Sequence, residues 1–179
     1  NKNNNKKPKK CFGINIWYAD KKEDAWAKPK PLPAPMNSEE FDEYFFSISN
    51  KGNVFFSSNR KGGEGSFDIY TAKLLGDSKF STPVNAGRPL STEKYEFDPY
   101  IAPDESFILF SIYENNDSDL YVSLKNENGN WTEPQNLGDT INITGQDFAP
   151  SLSADGKFIF FSNDGKLRWV SSDILKTPN

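Results

Sequence analysis

The stretch SISNKGNVFFSSN, residues 47–59, places a turn rich in Asn, Lys and Gly before an alternating apolar run, and it recurs. IAPDESFILFSIY (101–113) and LSADGKFIFFSN (152–163) repeat the design, with turn positions Lys51, Asp104 and Asp155 spaced 53 and 51 residues apart. A second strand follows each copy with the pattern polar, aliphatic, aromatic: Asn15–Trp17, Asp68–Tyr70 and Asp119–Tyr121, again at spacings of 53 and 51. A third landmark, WAKPKPL, FSTPVNAG and WTEPQNLG, carries Pro29, Pro83 and Pro134, spaced 54 and 51. A single acid precedes each new unit at Glu43, Glu96 and Asp147, at 53 and 51. Four landmarks that agree on a period of about 50 residues, each period holding short strands between turn residues, point to β-propeller blades of four antiparallel strands.

Strands a to d of the first full blade are expected at Phe45–Ile48, Val54–Ser57, Asp68–Lys73 and near Ser81–Asn85. The chain divides into a basic loop or leader (1–13), a partial blade with strands c and d (14–45), full blades at 46–98 and 99–149, and a partial last blade with a C-terminal tail (150–179). That makes about three to three and a half blades, whereas closed propellers typically hold four to eight. The expectation is therefore that the chain does not close a ring alone, and that the remainder of a six-bladed propeller comes from upstream sequence or another chain. Helical periodicity competes only in a final turn at Ser172–Lys176.

Composition narrows the function. Aromatics make up 15% of the chain, which suits many short strands around large side chains. Net charge is −4, but Lys2, Lys6, Lys7, Lys9 and Lys10 crowd the start, and without them the body carries 16 basic against 25 acidic residues, a net of −9. So acidic a body repels phosphate, which argues against nucleic acid or anionic lipid as partner. A lone cysteine, Cys11, excludes an intrachain disulfide and a Cys-based zinc site. No apolar run reaches the roughly 18 residues of a membrane span. No secretory h-region is visible, so export would need a signal upstream of residue 1.

The strings SSNRKGGEGSFDIYTAK (57–73), WTEPQNLGDTIN (131–142) and SLSADGKFIFFSN (151–163) resemble the TolB-like, or WD40-like, propeller repeat. The resemblance runs from about Ile14 to the end and implies an exported bacterial protein at the periplasm, outer membrane or cell surface, acting as a scaffold or binding module. It departs at the last blade, where Leu167 in KLRWVSS stands in for the third-strand acid.

Individual residues take their roles from this frame. Asp68 and Asp119 are expected to accept backbone N–H groups at the entrance to strand c, and Trp17, Tyr70, Tyr121 and Trp169 to pack between blades. Trp26, Phe80 and Trp131, heading strand d, read as outer packing aromatics. Glu43, Glu96 and Asp147 recur where loops emerge at one mouth of the channel. They read either as caps holding neighbouring blades together or, with Asn59 and Arg60 on the adjoining rim, as a ligand site for a cation, a Lys/Arg-bearing peptide or sugar hydroxyls. Asn116, Asp117 and Asp119 offer oxygen ligands for calcium but lack the spaced pattern of a calcium loop. The chain has no histidine, which removes Ser-His-Asp and Cys-His nucleophiles, His-ligated metals and His acid-base catalysis within it. GGEG (62–65) lacks the ending of a phosphate loop. The reading is a non-enzymatic module that binds a protein partner or glycan through one face, without a catalytic residue. The alternative is a carboxylate-dependent carbohydrate-active enzyme.

Overall fold

The computed structural model describes residues 13–176, so most of the basic leader and Cys11 lie outside the described residues. Four antiparallel sheets follow one another along the chain. The first pairs β1 (Trp17–Tyr18) with β2 (Lys30–Pro31). The second holds β3 (Glu43–Ile48), β4 (Asn53–Ser58), β5 (Asp68–Gly76), a short β6 (Lys79–Phe80) and β7 (Val84–Asn85). The third holds β8 (Tyr95–Ile101), β9 (Phe107–Glu114), β10 (Asp117–Leu124) and β11 (Gln135–Asn136). The last holds β12 (Asp147–Leu152), β13 (Phe158–Asn163) and β14 (Lys166–Ser171), followed by a 3-10 turn at Ser172–Lys176. Two four-stranded blades, one with the extra β6, thus sit between a two-stranded and a three-stranded partial blade: an all-β, partial propeller.

The period of two along each strand explains the stacking, since alternate residues meet opposite neighbours. In β4, Val54 and Phe56 face back into a core with Leu32 and Met36, while Phe55 faces forward into a core with Ile108 and Phe110. In β9, Ile108 and Phe110 face back and Leu109 faces forward, toward Ile159 and Phe161 of β13. Burying each such side chain contributes about 1.5–3 kcal/mol. Strand d aromatics add to the backward faces: Phe80 meets Phe46 edge-on at 6.0 Å, and Trp131 meets Phe55 at 6.2 Å.

Four expectations are corrected. The blades begin earlier than 46, 99 and 150, because Glu43, Tyr95 and Asp147 already pair with the second strand of their blades. Trp169 does not pack between blades. Phe56 pairs with Tyr70 and Phe110 with Tyr121, but Phe161 pairs with Arg168, so the short Asp164–Gly165 hairpin leaves Arg168 at the aromatic's register. Leu167 therefore stands at the register of Ile69 and Leu120 rather than of the acid, a place taken by Lys166. Leu167 and Trp169 point forward, 76% and 65% exposed. Trp17 also stays out, 60% exposed, because Ile16 and Tyr18 on either side of it take the face toward the next blade.

Candidate functional site

The sheets converge along their first strands, with β3 packed on β8 and β8 on β12. Each of these strands slips register by a bulge, between Tyr44 and Ser47, Phe97 and Tyr100, and Phe148 and Ser151. At equivalent points inside the bulges, Phe45, Asp98 and Ala149 adopt positive φ of 48°, 55° and 57°. Asp tolerates that region better than most residues, but Phe and Ala each incur about 1–2 kcal/mol of strain there. The same backbone conformation thus recurs at one place in three blades.

The bulges line two adjoining cavities that share Phe45 and Asp98. One, of 330 Å³, is walled by Tyr44, Phe97, Tyr113 and Phe148, with Ser111 on its lining. The other, of 460 Å³, runs on past Tyr100 and Pro150. A chain of ring contacts stiffens the wall: Tyr44 to Phe67 at 5.3 Å, Phe67 to Phe97 at 5.0 Å, and Tyr95 stacked on Tyr113 at 6.0 Å. Asp98 is the one charged side chain among the residues lining either cavity. It ties three blades together: its N–H donates to Ser57 Oγ at 3.1 Å, and its Oδ2 accepts the Ala149 N–H at 2.8 Å. Burial raises its pKa to about 6, against the opposing pull of the Ala149 N–H and the nearby Ser111 hydroxyl. Ser111 Oγ is itself buried, with the Asp98 carboxylate as the acceptor beside it.

The residues singled out in the sequence lie elsewhere. Glu43, Glu96 and Asp147 are buried at the junctions between blades and are not among the residues lining these cavities. Glu43 Oε1 accepts Arg60 at 3.0 Å and its Oε2 accepts the Ser38 N–H at 3.3 Å. Burial raises its pKa despite both. Arg60 also donates to the Met36 carbonyl at 2.6 Å and lies over the Phe56 and Tyr70 rings at 4.9 and 5.4 Å. Asn59 exchanges hydrogen bonds with Asp42. Glu96 accepts the Thr92 hydroxyl at 2.6 Å, and burial lifts its pKa to about 7. Asp147 is one methylene shorter, and Ile143 stands where Ser38 and Thr92 stand in the other junctions. Burial, with the Asp119 and Asp117 charges, raises the Asp147 pKa to about 6, against the opposing pull of the Asn163 side chain and the Ile143 N–H. The geometry thus gives these acids places inside the junctions.

Asp68 accepts N–H groups from Glu64 and Gly65, as expected. A Cβ on Gly63 would stand 2.0 Å from its Oδ2, so the loop needs glycine there. Asp119 instead accepts the Asn136 side chain at 2.8 Å. Asn116 meets Tyr113, and Asp117 caps the Ser118 N–H. Among the described residues no three His, Cys, Asp or Glu side chains gather where they could hold a metal ion.

Asp98 escapes a reading based on repetition because its equivalents are Phe45 and Ala149. Aligning the Phe-x-Pro runs Phe97–Pro99 and Phe148–Pro150 would have exposed it as an acid where the next blade carries Ala149.

No family model matches the chain, and no curated protein matches it. Among solved structures, TolB from Acinetobacter baumannii superposes with a TM-score of 0.42 at 13% identity, covering 87% of this chain and 40% of that one. A putative TolB from Agrobacterium tumefaciens superposes with a TM-score of 0.41 at 16% identity, covering 82% and 62%. The chain spans less than two thirds of either.

Proposed function

We propose that the chain is a non-enzymatic binding module that holds an extended segment of a protein partner against the groove on β3, β8 and β12. The observation that carries this reading is a single buried carboxylate on the lining of an aromatic-walled groove, at the line where three strained strands converge. Aromatic walls supply contact area at small entropic cost, and a few placed polar groups set orientation. Glycoside cleavage calls for two carboxylates flanking the scissile bond, and Asp98 has no second acid beside it among the residues lining the groove. Export and membership of a bacterial envelope assembly, the setting implied by the repeat resemblance, are part of the same proposal and are checked by cell fractionation.

Panning a random peptide library on the chain tests the groove. Enriched peptides are expected to bind tenfold or more weakly to Phe97→Ala, and equally well to Trp169→Ser, which lies outside it. Peptides indifferent to Phe97→Ala, or hydrolysis of a glycan panel that stops in Asp98→Asn, would replace this reading.

A further inference from the structure

Asp98 is buried, 5% exposed, yet among the described residues no Lys or Arg pairs with it. Among the other buried acids, Glu43 has Arg60, Asp68 has the Glu64 and Gly65 N–H groups, Glu96 has Thr92, and Glu105 has Lys51 and Lys125. Asp147 has the Asn163 side chain and the Ile143 N–H beside it and is not among the residues lining the two cavities, whereas Asp98 lines both. Its Oδ2 takes the Ala149 N–H. The Ser111 hydroxyl lines one of the two cavities, and Asp98 is the acceptor beside it. A buried carboxylate answered only by a backbone N–H and a neighbouring hydroxyl, with no counter-charge, is costly, and a donor-rich cation would offset that cost.

Resting on the groove reading above, we infer that this pocket takes a guanidinium side chain, an arginine of the bound segment, between the Asp98 carboxylate and the aromatic wall. The geometry favours a flat cation over a compact one. Phe97, Phe45, Phe148 and Tyr113 line the same cavity as the carboxylate, and a guanidinium can stack on a ring while its five N–H groups reach Asp98 and Ser111. Sugar hydroxyls could meet the carboxylate but would leave its charge uncompensated. The protein uses the same chemistry within its own fold, where Arg60 lies over Phe56 and Tyr70 while donating to Glu43.

The test compares acetyl-Gly-Arg-Gly-amide with the same tripeptide carrying citrulline, which keeps the shape and loses the charge. Binding is followed by NMR shifts of the backbone amides at residues 97, 98 and 111. The arginine peptide is expected to bind at least about tenfold more tightly than the citrulline peptide. Asp98→Asn should remove that difference, since the amide oxygen can still accept the Ala149 N–H and hold the fold. Ser111→Ala should reduce it less. Equal binding of the two peptides at these amides, or a preference that survives Asp98→Asn, overturns the guanidinium inference and leaves the groove reading standing. Absence of shifts from both peptides overturns the inference as well, and if library peptides also ignore Phe97→Ala, the groove reading falls with it.

Discussion

Glu105 occupies the turn position held by Gly52 and Gly156 in the neighbouring blades, and like them it has positive φ, 67° against 76° and 74°. A glutamate there costs about 1 kcal/mol that glycine does not. Its carboxylate offsets this by joining two blades. It accepts Ser49 Oγ at 2.7 Å, Asn53 Nδ2 at 2.6 Å and Lys125 Nζ at 3.1 Å, with Lys51 Nζ at 3.4 Å. Burial alone would raise its pKa, but the bonds from Ser49, Lys125 and Asn53 outweigh it and hold the value at about 2. Glu105→Gln keeps the strain and loses the charge, so it should destabilise the fold by about 1–3 kcal/mol in urea titration at neutral pH. Because the folded-state pKa is depressed, this contribution is complete above the ordinary value of 4.5 and is lost as pH falls toward about 2. The gap between the two proteins should therefore narrow on acidification; a gap constant from pH 7 into that range would show that the charge is not what joins the blades. Glu105→Gly, which relieves the turn but strands the four donors, separates strain from the ionic contacts.

Between elements, the connection from strand d to the next strand a holds strand c by a repeated two-way contact. Asn37 accepts the Ile16 N–H at 2.9 Å and donates to its carbonyl at 2.9 Å. Ser91 does the same to Ile69 at 3.2 and 3.0 Å, and Asn142 to Leu120 at 2.8 and 3.0 Å. Each sits directly after a buried apolar residue, Met36, Leu90 or Ile141, which pins the connection to the core. Removing the Asn142 amide leaves a strand N–H and C=O without their partner, so Asn142→Ala should cost about 1–3 kcal/mol. Asn142→Ser should recover part of it, since Ser91 makes both bonds in its own junction. Equal loss in Ala and Ser, measured by denaturant midpoint at unchanged slope, would mean that side-chain volume and not this contact is at stake. The strands themselves were legible because period-two alternation and Gly or Asp turns are written one residue at a time. The junction was not: MNS, LST and INI keep the 54 and 51 spacing, but Asn, Ser and Asn perform one task with different side chains. The same limit misplaced Trp169, since the spacing of the third-strand motif takes no account of the shortened hairpin at Asp164–Gly165. Repetition singles out Glu43, Glu96 and Asp147, while Asp98 is conspicuous only as an exception to the repeat.

At the scale of the molecule, each blade buries its forward face under the backward face of the next. Phe55 and Ile69 are covered by Ile108 and Phe110, and Leu109 and Leu120 by Ile159 and Phe161. The last described sheet presents the same kind of forward face to solvent. Phe158, Phe160 and Trp169 line an open apolar hollow there, Trp169 meets Phe158 edge-on at 5.2 Å, and Leu167 stands beside them. At the opposite end, Trp17 and Trp26 occupy places whose equivalents in the next blades, Tyr70 with Phe80 and Tyr121 with Trp131, pack backward on a neighbour. Aromatic and aliphatic side chains gathered on one sheet face exceed the scattered apolar exposure normal for a surface, and such a face recruits other apolar surfaces. The 179-residue chain should accordingly bind an apolar fluorescent dye and show concentration-dependent association in light scattering. The double change Leu167→Ser with Trp169→Ser should suppress both, because each side chain is already more than half exposed and contributes little to the core of its own chain. Its urea midpoint should stay within about 0.5 kcal/mol of the parent's stability. Dye binding that persists in the double variant would mean that the forward face is not the surface being sensed. A large fall in stability would mean that these side chains support their own sheet, and that the exposure seen here understates their packing.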